Sequence, residues 1–211
     1  MTRSKLPDFS VDDTTVVIAS GPSLVEEDTD LLKWTLGIST VAVNASFKRA
    51  PWAEIIYMGD FQAVKAYYPE VEHLRQQSRI WTCTDLAAEQ FNVNLVRGVA
   101  DHGLSKQPGT ITMGGNSGHQ ALHLAVTCGA KRVILLGFDM MLGAAGEKHW
   151  HPDHPAPLIQ QLCLDEWIHA MGLMARDLEA AGVEVVNCSR RTALTCFRRG
   201  DLREELARCR S

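Results

Sequence analysis

Apolar, β-branched runs recur along this chain, each followed by a glycine or polar turn and then a stretch with helical spacing. TTVVIAS (14–20), STVAVNAS (39–46), AEIIYMGD (53–60) and RIWTCTD (79–85) are too short and too apolar for helices. They read as strands buried on both faces. A polar, acid-rich helix is predicted from about Leu24 to Trp34. A stronger one opens at Asn116 or Ser117, runs through HQALHLAVTC and stops at Gly129, with an N-cap residue at one end and a glycine at the other. It feeds KRVILLGFD (131–139), a run typical of a central parallel strand. A long amphipathic helix is expected from about Leu158 to Ala181, with apolar residues at 159, 162, 163, 167, 171, 174 and 178, closed by Gly182 before the strand VEVVN (183–187). Strands alternating with helices mean parallel pairing. The predicted fold is a single-domain, Rossmann-like α/β protein: a mostly parallel, doubly wound sheet of six or seven strands with helices on both faces.

Composition narrows the class. At 211 residues and 45% hydrophobic content the chain is large enough for one buried core, and it carries no repeat or low-complexity linker. The expected layout is an N-terminal extension (1–13), a nucleotide-binding domain (14–190) and a basic C-terminal helix (191–211) packed on it. MTRSKLPDFS lacks the apolar core of a signal peptide, and no run of about 18 apolar residues occurs, so a cytoplasmic protein is expected. Six scattered cysteines without a CxxC pair read as reduced, mostly buried thiols. The net charge of −4 argues against a duplex-binding protein. It hides a tail (190–211) with seven arginines against three acids, read as a solvated helix in which Glu204 and Glu205 pair nearby arginines, with an electropositive rim for phosphate as the alternative.

Open α/β sheets bind ligands beyond the carboxyl ends of their strands, so the strand-end residues are the candidates. They are Ser20, Gly21, Pro22 and Ser23 after the first strand, Asn44 after the second, Asp60 after the third and Asp139 after the central one. GGNSG (114–118) adds Asn116, Ser117 and Gly118 at a helix start, where unpaired amides suit a phosphate or sugar. SGPS matches neither GxGxxG nor a P-loop, and a bare turn is the competing reading for both segments. Asp60 and Asp139 could each hold a ribose hydroxyl or a metal, but neither belongs to a DxD pair.

EKHWHPDHP (147–155) concentrates His149, His151 and His154 in one proline-bearing loop. They are read as general acid/base candidates. A metal site using these three and Asp153 is the alternative, ranked lower because three histidines within six residues match no standard ligand spacing, and no metal ligand is assigned. His119 and His123, four apart on the strong helix, are read as structural. Trp34, Trp52, Trp81 and Trp167 are expected in the core, with Trp150 able to stack on a ring.

VVIASGPSL, VAVNASF, NSGHQALHLAVTCGAKRVILLGFDM and the histidine loop together resemble two related groups: archaeal 6-hydroxymethylpterin diphosphokinase-like proteins, which include phage members, and bacterial sialyltransferases that use CMP-activated sialic acid. The resemblance covers roughly 14–190. It implies Ser20, Gly21, Asn44, Ser117 and Gly118 around a donor nucleotide, with His151 or His154 as base, and Ser20 stands where asparagine is usual. Tyrosines at the leaving phosphate are also implied, but Tyr57, Tyr67 and Tyr68 all stand far from the loop in sequence; Arg190 and Arg191 are the substitutes considered. The leading expectation is a nucleotide-dependent transferase moving a sugar from a nucleotide-sugar donor to the hydroxyl of a glycan, modified base or metabolite. The first alternative is a diphosphokinase requiring Mg²⁺ and ATP; the second is a noncatalytic nucleotide-binding or phage assembly module, in host cytoplasm if phage-encoded. No membrane partner is expected, and self-association is left open.

Overall fold

A computed structural model describes residues 12–76, 79–155, 158 and 162–210. The elements are β1 (Thr14–Ile18), α1 (Glu26–Lys33), β2 (Ser39–Val43), β3 (Ile55–Tyr57), α2 (Phe61–Val71), β4 (Arg79–Thr82), α3 (Asp85–Phe91), β5 (Asn94–Leu95), β6 (Arg97–Val99), β7 (Thr110–Thr112), α4 (Ser117–Thr127), β8 (Arg132–Leu136), α5 (Leu164–Ala180), β9 (Glu184–Asn187), β10 (Arg198–Arg199) and α6 (Leu202–Ala207). Eight strands form one parallel sheet in the order β10-β9-β8-β1-β2-β3-β4-β5, and β6 pairs with β7 beside it. The sheet exceeds the expected six or seven strands because β5 and β10 are two residues each, too short to leave a periodic signal.

The two faces explain the unbroken apolar runs. In β1, Val16 and Ile18 join one core layer and Val17 the other. Leu32 of α1, Val64 and Tyr67 of α2, Ala87 of α3 and Leu206 of α6 cover the first face; Leu122 and Leu124 of α4 and Met171, Met174 and Leu178 of α5 cover the second. From β1 the chain proceeds outward through β2, β3, β4 and β5, then returns to place β8 on the other side of β1. The order therefore reverses between β1 and β8, and their outgoing loops separate there to leave a crevice.

Three local expectations need correction. The long helix begins at Leu164, not near Leu158: Leu158, Leu162 and Cys163 are not helical, Asp165 and Glu166 lie in its first turn, and residues 159–161 lie outside the described residues. Trp34 is 76% exposed rather than core. It follows the last residue of α1 and stands two positions past the buried Leu32, about 200° around the helix and so on the opposite side. The basic tail is mostly not a helix. After an irregular stretch, Arg198 and Arg199 pair with β9 as a strand, and only Leu202–Ala207 is α-helical, capped by the Asp201 carboxylate accepting from the Arg203 and Glu204 amides.

That tail is an ion-pair network. Glu205, 4% exposed, receives Arg198 at 2.7 Å, Arg208 at 2.9 Å and Arg132, while Glu184 binds Arg132 at 3.1 Å and Arg198 at 2.9 Å. Hydrogen bonding from Arg198 leads the effects that hold the Glu205 carboxyl down at about 2. Of the thiols, Cys128 and Cys188 are buried, Cys83, Cys163 and Cys209 half-buried and Cys196 exposed, so "mostly buried" describes only two of the six. Among the described residues no helix is long and apolar enough to cross a membrane.

Candidate functional site at the sheet's switch point

The crevice between β1 and β8 encloses about 700 Å³, its open mouth included. Ser20, Gly21, Pro22, Asn44, Asn116, Ser117, Gly118, Asp139, His149 and His154 all line it, joined by Phe138, Met140, Met141, Lys148 and Trp167. The candidate set therefore converges, with Ser23, Asp60 and His151 outside the lining.

Asp139 is the reason the SGPS turn has a fixed shape. One carboxylate oxygen accepts the Ser23 backbone N–H at 2.7 Å and the other the Ser23 hydroxyl at 2.9 Å. The turn passes so close that a Cβ on Gly21 would lie 2.3 Å from the Asp139 carboxylate and 2.5 Å from the Gly137 carbonyl. Burial raises the Asp139 pKa above the usual carboxylate range, outweighing the Ser23 hydrogen bonds and the fields of Arg191 and Arg199, which lower it. Both oxygens are thus engaged within the protein. Asp60 likewise faces its own helix, its carboxylate accepting the Ala63 amide at 2.8 Å to cap α2.

Opposite the turn stands the start of α4. Gly114 and Gly115 take positive φ (52° and 79°), and a Cβ on Gly114 would strike the His119 ring, so this turn needs glycine. Asn116 caps the helix through Oδ1, which accepts the His119 amide at 2.9 Å, and its Nδ2 is buried without a partner among the described residues. Asn44 ends β2 in the left-handed region (φ 49°), and its Oδ1 is also buried and unpartnered. One amide donor and one carbonyl acceptor, on residues lining the same crevice, therefore have hydrogen-bonding capacity that the described residues leave unused.

The loop after β8 folds back across β1. The Trp150 amide donates to the Ser20 carbonyl at 3.1 Å, and the Ser20 hydroxyl lies 3.0 Å from Nδ1 of His149. Of the three loop histidines, His149 is the one that touches the turn; the resemblance named His151 or His154 as base. Trp150 meets the Arg49 guanidinium 4.0 Å from its ring centroid and the His151 ring edge-on, rather than stacking on a ring. His154 hydrogen-bonds the Tyr67 hydroxyl at 2.5 Å. This corrects the expectation that no tyrosine lies near the loop: Tyr67 is 87 positions away, but α2 packs on the face over which the loop runs. Burial pushes the Tyr67 phenol up to about 12. Burial, then repulsion among the three rings, holds His149 and His154 down at about 4.

The remaining candidates have structural employment. His119 hydrogen-bonds the His102 carbonyl at 2.7 Å, and His123 accepts the Thr112 amide at 2.9 Å, tying the 102–112 segment to α4 as the structural reading expects. Arg190 pairs with Asp28 at 3.0 Å, so its charge is committed away from the crevice.

No family model and no curated protein matches the chain. Among solved structures, the MAf glycosyltransferase from Magnetospirillum magneticum AMB-1 matches 97% of this chain with a TM-score of 0.60 at 11% identity. What the two share is the fold. This chain spans 38% of that protein's length.

Proposed function

We propose that the chain binds a nucleotide-sugar across the β1–β8 crevice and transfers the sugar to an acceptor hydroxyl. The carrying observation is the pairing of the unpartnered Asn44 Oδ1 and Asn116 Nδ2 with a histidine loop hydrogen-bonded to Ser20 at the same opening. In this reading the Ser20–Gly21 turn and the Ser117 and Gly118 amides hold the donor's phosphate, as helix starts do, and the two asparagines read its sugar or base. In the same reading a neutral loop imidazole receives the acceptor's proton while the nucleotide leaves. The fold shared with a glycosyltransferase supports this choice.

The diphosphokinase reading is less well supported. Mg²⁺-bridged phosphates are held by ionised carboxylates, and the single carboxylate in the lining, Asp139, binds Ser23 through both oxygens and is pushed by burial toward its neutral form. A thermal-shift series with CMP, UDP, GDP, ADP, ATP and their sugar forms, with and without Mg²⁺, tests the proposal. A Mg²⁺-independent shift with a nucleotide-sugar or its nucleotide product is expected. A shift only with ATP and Mg²⁺ would replace the reading by the kinase, and no shift with any of them by a noncatalytic module.

A further inference from the structure

The three loop histidines do more than share a segment. Their rings pack face to face or edge to face: His149 and His151 are stacked at 4.9 Å with 6° between planes, and His154 lies 4.6 Å and 4.9 Å from them. One nitrogen from each comes within 4.8 Å of the others. In all three rings Nδ1 is the atom that meets an anchoring oxygen: Ser20 Oγ at 3.0 Å, the Pro152 carbonyl at 2.6 Å and the Tyr67 hydroxyl at 2.5 Å. The carbonyl of Pro152 can only accept, so His151 must carry its proton on Nδ1. Its Nε2 is then a bare lone pair, and that atom is buried with no hydrogen-bond partner among the described residues.

A ring held through one nitrogen, with the other left for the ion, is how proteins prepare histidines for a metal. We propose that His149, His151 and His154 bind one divalent transition-metal ion of the zinc class through Nε2. Zinc–nitrogen bonds of about 2.0–2.1 Å place tetrahedral nitrogens about 3.3 Å apart, so binding draws the rings together and opens the parallel stack of His149 on His151. Imidazoles alone favour Zn²⁺, Co²⁺ or Ni²⁺ over Mg²⁺, which prefers oxygen. Three protein ligands leave a fourth position for an oxygen ligand, as catalytic rather than structural zinc sites do. Because His149 and His154 line the crevice, that position faces it. Only the assignment of that oxygen to the acceptor hydroxyl rests on the transferase reading, and there the ion takes the place of a free imidazole in promoting its deprotonation; the ion site itself does not depend on that reading.

The test uses full-length protein without a polyhistidine tag, stripped with chelator and titrated with Zn²⁺ and with Co²⁺ in the absence of nucleotide. One equivalent per chain is expected, with a Co²⁺ spectrum of nitrogen and oxygen ligation lacking thiolate bands. Affinity should fall more than about 100-fold in His151→Ala and about tenfold in Tyr67→Phe, which removes only the hydroxyl that orients His154. Thermal melts of the metal-free variants separate lost ligation from lost folding. No stoichiometric binding, thiolate bands, or unchanged affinity in a folded His151→Ala would overturn the site. Since no nucleotide is present, such a failure leaves the transferase proposal standing, and a failed nucleotide screen leaves the ion site standing.

Discussion

Replacing Asp139 separates two roles that a strand-end carboxylate can have. If it staples the turn, Asp139→Ala removes both acceptors for Ser23 and strands a partly buried amide donor. Hydrogen bonds to a charged group contribute roughly 1.5–3 kcal/mol each, but the relief of burying a charge offsets part of this, so a loss of about 3 kcal/mol is expected. Asp139→Asn should cost only about 1 kcal/mol. Its single oxygen can keep the amide bond, Ser23 Oγ can turn to accept from the new NH₂, and burial already disfavours the charged form. Urea denaturation followed by tryptophan fluorescence reads the stabilities. The same samples, titrated with the nucleotide found in the screen, should show weakened binding in proportion to the loosened turn. An alanine variant as stable as the parent would refute the staple. One that stayed stable yet lost ligand binding altogether would make Asp139 a direct ligand contact.

Other perturbations reach different parts of the molecule. Gly21→Ala puts a methyl against the Gly137 backbone, which cannot give way; a stability loss of about 1–3 kcal/mol with loss of the nucleotide-induced thermal shift is expected, and a normal shift would remove the turn from the site. Burial holds His123 down at about 4 against its ordinary 6.5, so between these values the unfolded chain takes a proton that the native fold refuses. The stability carried by neutral His123 is therefore complete above about pH 6.5 and declines as pH falls toward 4, by up to about 3 kcal/mol. His123→Gln should flatten the pH dependence of the denaturation free energy across that interval, and an unchanged slope would contradict it. Glu205→Gln leaves Arg132 short of its buried anion, and a loss of about 2–3 kcal/mol is expected, seen as a lower melting temperature at pH 7; an unchanged melting temperature would mean that Glu184 alone suffices.

The sequence by itself determined the parallel architecture, because strands buried on both faces must be apolar throughout and helices covering them must be amphipathic; β1, β2, β8 and α4 were legible for that reason. It also located the Asn116 cap and the strand-end turns, since glycine and asparagine stand where the backbone needs a cap or a positive φ. The two-residue strands β5 and β10 escaped, being shorter than any period. Only the tertiary structure decided who meets whom. It joined Tyr67 to His154 and Ser20 to His149, turned Asp139 inward onto Ser23, and sent Arg190 to Asp28 instead of the crevice. Those contacts bridge 87 to 162 positions and depend on where the sheet's strand order reverses, a property of pairing that leaves no mark in local residue patterns.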